Sequence, residues 1–265
     1  MPQWNAEQYL KFKAERTQPS VDLSNRITVR NPKRILDLGC GPGNSTRILK
    51  EHFPHAKVIL GIDSSADMIE RARNEQPDLF FQTFDLRDDL TALEGDWDVV
   101  FSNACLHWIP DHRALLPKLM ELLAPKGQLA VQIPLTEDAV FYRICAELHA
   151  SEPWKSILPE EIRSFHQLKP IEYCDVLAAC AAEFSVWETA YHHLMPDFEA
   201  VMEWYRGSGL RPYLECLPED RREEFTTAIL ERVRNSYPTL KDGSVLMRFP
   251  RFFFIANKTK GDFHQ

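Results

Sequence analysis

From residue 34 onward, short apolar runs of strand length alternate with longer amphipathic ones. "RILDL" (34–38), "KVILGID" (57–63), "LFFQTFD" (79–85), "WDVVFSN" (97–103) and "QLAVQIP" (128–134) are five such runs. Between them, "NSTRILKEHF" and "SSADMIERARN" open with capping residues and read as helices. "HRALLPKLMELLAP" reads as a helix that Pro125 and Gly127 end. Strands alternating with helices predict a parallel sheet with right-handed crossovers. Several strands are almost wholly apolar, as expected when both sheet faces are covered.

After Pro134 the rhythm changes. Residues 135–169 read as helical and irregular, with Pro153, Trp154 and Pro159. Residues 170–184 read as a helix and 185–195 as a strand. "DFEAVMEWYRGSG" and "EDRREEFTTAILERVRNSY" read as two more helices, and 244–258 as a long last strand. Pro250 would remove a ladder hydrogen bond, which predicts a bend or an edge position there. The first thirty residues carry helical periodicity at Tyr9, Phe12, Arg16 and Pro19. The expectation is a single α/β domain, with a sheet core from 31–134, 170–195 and 244–258. Residues 1–30, 135–169 and 196–243 would form a helical cap.

With 265 residues, 44% of them hydrophobic, the chain can bury roughly three quarters of its unfolded surface. The formal net charge of -8 comes without a basic run, which disfavours nucleic acid as a partner. Small anions remain acceptable where a few cations converge. No segment has the basic-then-apolar pattern of a signal peptide, and no apolar run approaches the roughly 20 residues of a membrane span. The six cysteines are scattered without a C-x-x-C, which reads as reduced thiols in a cytoplasmic protein. Neither the cysteines nor the His52/His55 and His192/His193 pairs suggest a metal site.

The candidate chemistry begins at "DLGCGPGNS" (37–45), a glycine-rich loop from the first strand into a helix. A dinucleotide fingerprint needs a third glycine at the position of Asn44. Here the glycines are Gly39, Gly41 and Gly43, and Asp37 stands beside the turn. A carboxylate there repels a pyrophosphate and suits an ammonium group, which S-adenosylmethionine (SAM) carries. Asp63, with Ser64 next to it, ends the second strand, where a carboxylate accepts from ribose hydroxyls. Met68 on the following helix can pack on adenine. Asp85 ends the third strand, where it can accept from the adenine amino group beside a backbone donor at Leu86. Asn103 ends the fourth strand and faces the crevice where such sheets bind ligands.

These residues resemble the class I SAM-dependent methyltransferases. The resemblance implies a Rossmann-like, seven-stranded sheet of order 3-2-1-4-5-7-6, flanked by helices, with the seventh strand antiparallel. "SNACLHWIPD" (102–111) is similar to that family's fourth-strand motif, adding His107 and Trp108; Trp108 is grouped with the cofactor residues. The long segment 196–243 between the last two strands departs from the usual tight hairpin. Segments 4–23, 191–196, 203–214 and 249–256 resemble those of the bacterial trans-aconitate 2-methyltransferase family; 136–169 matches poorly. That resemblance implies esterification of one carboxylate of trans-aconitate, with S-adenosylhomocysteine as the other product. Arg16, Arg211 and Arg251 lie in these segments as candidate carboxylate ligands. Tyr9, Tyr191, His193 and Tyr205 are nearby donor candidates, and His107 joins them as a candidate substrate ligand.

A carboxylate is already ionised at neutral pH, so its methylation needs no general base. No catalytic acid or base is therefore expected, since alignment and desolvation carry the reaction. Three other readings stay open: a SAM methyltransferase for another small molecule, a nicotinamide-dependent oxidoreductase, and a non-catalytic SAM-binding protein. The oligomeric state is also open.

Overall fold

The computed structural model describes residues 13–162 and 165–258, with side chains from residue 17. Helix α1 (Lys13–Ser24) precedes β1 (Arg34–Leu38), α2 (Asn44–His52), β2 (Val58–Asp63), α3 (Ala66–Glu75) and β3 (Phe80–Thr83). Then come β4 (Trp97–Asn103), a single 3-10 turn at Leu106–Trp108, α4 (His112–Glu121) and β5 (Leu123–Pro134). The remainder is α5 (Val140–His149), α6 (Trp154–Ile157), α7 (Pro170–Cys180), β6 (Glu183–Met195), α8 (Phe198–Arg206), α9 (Arg211–Cys216), α10 (Glu219–Ser236) and β7 (Val245–Asn257).

The seven strands form one sheet of order β3-β2-β1-β4-β5-β7-β6. The first five pair in parallel and β7 runs antiparallel to β5, as expected of a class I methyltransferase. The central strands are buried because their apolar runs are covered on both faces: Ile35, Leu36, Val99, Val100 and Phe101 are all at 0% exposure. Local signals set the helix starts. Ser65 caps α3 by accepting from the Met68 N–H, and Asp111 caps α4 by accepting from the Ala114 N–H.

Two expectations about proline and glycine are corrected. Pro125 and Gly127 do not end a helix. Helix α4 stops at Glu121, and both residues lie in β5 beside a register shift between Trp97 and Val99. A Cβ at Gly127 would sit 2.8 Å from the Trp97 carbonyl oxygen and 2.9 Å from that of Ala124, so only glycine fits there. Of the bend or edge position expected at Pro250, the edge is overturned, because β7 lies between β5 and β6. The β5–β7 register ends at the pair Pro134 and Arg251, one residue short of Pro250. The missing N–H therefore lies just beyond that ladder.

The chain divides into two compact units. The sheet unit comprises Thr17–Pro134, 165–189 and 251–258, and the second comprises 135–162 and 190–250. The boundaries differ from the expected core and cap. Residues 17–30 belong to the sheet unit, because the N–H groups of Thr28 and Val29 donate to Gln128 Oε1 at 2.8 and 3.2 Å. Residues 165–169 also join it, and the His166 N–H donates to the His107 carbonyl at 2.8 Å. Residues 190–195 and 244–250, expected in the sheet core, fall in the second unit. That unit has its own apolar core, in which Phe141, Trp154, Val201, Tyr205, Phe225 and Met247 are buried together.

Candidate functional site

The candidate cofactor residues gather at the carboxyl ends of β1 to β4, all within the sheet unit. After Leu38 the backbone turns through Gly39, Gly41 and Gly43, each with positive φ (67°, 54° and 88°). A Cβ at Gly39 would lie 2.2 Å from Cys105 Sγ, so that glycine answers both to the turn and to close packing. Helix α2 begins at Asn44, directly behind this turn.

Asp37 is fully buried at the end of β1. Its Oδ2 accepts from the hydroxyls of Ser45 at 2.6 Å and Thr46 at 2.7 Å, fastening α2 to the strand. Its Oδ1 is buried and has no hydrogen-bond partner among the described residues. Burial pushes its pKa up to about 7, against the two hydroxyls that favour the ionised form. Ser45 and Thr46 were not singled out from sequence, although "NSTR" reads plainly as a helix start.

Asp63 uses both oxygens on backbone, Oδ2 accepting from the Gly41 N–H at 3.0 Å and Oδ1 from the Ser65 N–H at 2.9 Å. Burial raises its pKa, opposed by these two bonds. Each carboxylate oxygen has a second lone pair, so capacity for ribose hydroxyls remains. Ser64 is half-buried beside it, and Met68 is buried on the next helix.

Asp85 is engaged more than expected. The Arg87 N–H and Nε donate to it at 3.0 and 2.9 Å, and the arginine pairs with both carboxylate oxygens. That guanidinium holds the Asp85 pKa low, and any adenine contact shares the carboxyl with it. Leu86 is buried next to it.

Asn103 is half-buried at the end of β4, and its Oδ1 is buried without a hydrogen-bond partner among the described residues. Just beyond it, the ring of His107 lies 4.7 Å from that of Trp108, and Phe165 lies 5.4 and 4.7 Å from the two. Phe165 was missed because its segment carries no periodic pattern; only the fold brings it here. His112, also missed, steadies this turn. Its Nε2 lies 2.8 Å from the Leu106 carbonyl, and its Nδ1 hydrogen-bonds the Tyr173 hydroxyl.

The candidate substrate ligands are dispersed. Arg251 is buried on β7 in the sheet unit. In the second unit, His193 is buried with its ring 4.9 Å from Trp204 and 6.4 Å from Tyr191. Arg211 is half-buried and its Nε pairs with Glu215 at 2.6 Å. Tyr205 is a core residue: it is fully buried, and its ring stacks on Phe141 at 3.9 Å. Tyr9 and the side chain of Arg16 lie outside the described residues.

Together, Asp37, Asp63 and Asn103 present acceptors at adjacent strand ends. The set suits a ligand rich in donors, with a cationic group at one end and vicinal hydroxyls at the other. Among the described residues no group of His, Cys, Asp and Glu could hold a metal ion, and no helix is long and apolar enough to cross a membrane.

Comparison with known proteins agrees with this geometry. A family model described as a methyltransferase domain matches residues 12–174. The trans-aconitate 2-methyltransferase of Methylobacterium radiotolerans is 42% identical over 97% of this chain and 99% of its own. That of an Escherichia coli strain is 39% identical over 98% of this chain and all of its own. Among solved structures, the YcgJ protein of Bacillus subtilis superposes with a TM-score of 0.61 at 16% identity, covering 92% of this chain and all of its own. A Haemonchus contortus phosphoethanolamine N-methyltransferase, in complex with SAM, matches 91% of this chain and 52% of its own with a TM-score of 0.55 at 16% identity. With the strand order, the glycine turn and near-full-length identity around 40% in agreement, the chain belongs to the trans-aconitate 2-methyltransferase family of methyltransferase-domain proteins.

Proposed function

We propose that the protein transfers the methyl group of SAM to a carboxylate of trans-aconitate, giving the monomethyl ester and S-adenosylhomocysteine. The cofactor reading is carried by the buried Oδ1 of Asp37, an acceptor with no partner among the described residues. An ammonium group supplies both the missing donor and the missing charge. The substrate reading is supported by similarity across almost the whole chain, including the segments outside the sheet core.

When bound, SAM supplies a methyl group on a sulfonium sulfur, which a carboxylate oxygen displaces in line as the C–S electron pair returns to sulfur. No proton moves, so the reaction needs no catalytic base. The residues act by placement. Asp63 accepts from the ribose hydroxyls, Met68 packs on the adenine, and Asp37 and Asn103 hold the aminoacyl end. His107 and Arg251, both in the sheet unit, bind the acid. Orientation of this kind is worth up to roughly 7–11 kcal/mol of barrier. The reading includes a cytoplasmic enzyme whose partner is a small acid.

The test is incubation with SAM and a panel of trans-aconitate, cis-aconitate, citrate and isocitrate, read by mass spectrometry. A monomethyl ester formed fastest from trans-aconitate is expected. Failure to methylate trans-aconitate, with turnover of an unrelated nucleophile, sinks the substrate assignment and leaves a methyltransferase of another specificity.

A further inference from the structure

Register places one unassigned side chain in line with the cofactor residues. Asp37 pairs with Gly61 on one side and Phe101 on the other. Alternation therefore puts Asp37, Asp63 and Asn103 on one face of the sheet. Gln132 is the register partner of Asn103 on β5, so its side chain stands on that same face, one strand further along. Gln132 is at 0% exposure, yet neither its Nε2 nor its Oε1 has a hydrogen-bond partner among the described residues. A buried amide left unsatisfied at both ends is costly, and no described residue compensates it. Gln128, on the same face of the same strand, is by contrast saturated by Thr28, Val29 and Asn257.

The neighbour on the other side is equally telling. Phe253 on β7 is the register partner of Gln132, and Arg251 is the partner of Pro134. Arg251 is therefore the diagonal neighbour of Gln132 on the same face, at a typical separation of about 7–8 Å. Along this face at the strand ends the order runs from Asp63, a ribose acceptor, through Gly39 and Asn103 to Gln132, then to Arg251. The first three belong to the proposed cofactor. The last two are an amide donor and a guanidinium side by side, the chemistry that recognises a carboxylate.

Resting on the proposed reaction, we infer that Gln132 is a substrate-binding residue. Its Nε2 donates to a carboxylate of the acid, beside Arg251 and next to the strand end where the methyl group is delivered.

The test compares wild-type enzyme with Gln132→Leu and Gln132→Glu, with Gln132→Met in reserve should the leucine variant fail to fold. Because the amide makes no hydrogen bond to the described residues, the leucine variant should melt at the same temperature as wild type or higher. It should bind SAM within twofold by calorimetry, while its KM for trans-aconitate rises about 10- to 100-fold. The glutamate variant places an anion against an anion, so its KM should exceed that of the leucine variant. An unchanged KM, or a SAM affinity that falls by the same factor, overturns the inference. So does a fall in melting temperature with all kinetic constants moving together. Wild-type enzyme with no turnover of trans-aconitate overturns the proposed function and this inference together; wild-type turnover with an unmoved KM in the variants overturns the inference alone.

Discussion

Asp37, next to last in β1, is fully buried, and its pKa near 7 has consequences for both stability and binding. An acid whose folded pKa lies above its unfolded value holds more protons when folded, throughout the window between the two. Its contribution is therefore fully present below about pH 4 and is lost as pH rises through about 7. Asp37→Asn lacks this titration. The stability of wild type minus that of the variant should fall between pH 4.5 and 7.5 by on the order of 2–4 kcal/mol, read by urea unfolding at each pH. The ammonium of SAM favours the ionised carboxylate, so cofactor binding at pH 6 should release a proton and at pH 8.5 should not. Calorimetry in buffers of different ionisation enthalpy reads this directly. Asp63 acts differently, because its oxygens already hold the N–H groups of Gly41 and Ser65. Asp63→Ala should weaken SAM binding at least tenfold and lower the melting temperature as well; unchanged SAM affinity would contradict its placement.

Between the ends of β1 and α2, three glycines with positive φ do what no L-residue does cheaply. Gly39→Ala adds a methyl group 2.2 Å from Cys105 Sγ in a left-handed backbone. It should cost about 1–3 kcal/mol, seen as a lowered melting temperature without SAM. Helix α8 gives the opposite case. Tyr205 stacks on Phe141 inside a buried cluster, so its ring is core material. Tyr205→Ala should destabilise by about 3–5 kcal/mol, whereas Tyr205→Phe should leave the trans-aconitate KM within twofold of wild type. A large KM change in the phenylalanine variant would return Tyr205 to the substrate ligands. The strands β1 and β4 match their apolar runs residue for residue, because a run buried on both faces has no other place to go. The start of β5 was not legible, because a bulge depends on the neighbouring strand and not on its own residues.

For the whole molecule, a net charge of -8 with no basic run sets what it can associate with. Nucleic-acid affinity depends on phosphate neutralisation, so no retardation of transfer RNA is expected in native gels at physiological salt; a shift at micromolar protein would overturn that. A small acid is a different partner, since two or three local donors suffice for it. The division into units also escaped sequence reasoning. The chain crosses from one unit to the other inside β6 and β7, and a strand carries no composition change where its packing partner changes.

By itself the sequence determined the alternation of strands and helices, the glycine turn, and the acids at the strand ends. It did so because apolar periodicity and the few residues that tolerate a turn are local properties. Its family resemblance carried the strand order as well. What only the tertiary structure decided is which polar groups the fold itself satisfies. Asp85 is taken up by Arg87, and Gln128 by the segment after α1. Asp37 and Gln132 are buried with hydrogen-bonding capacity that no described residue meets. That difference arises from register and burial across strands far apart in the chain, which no local pattern encodes.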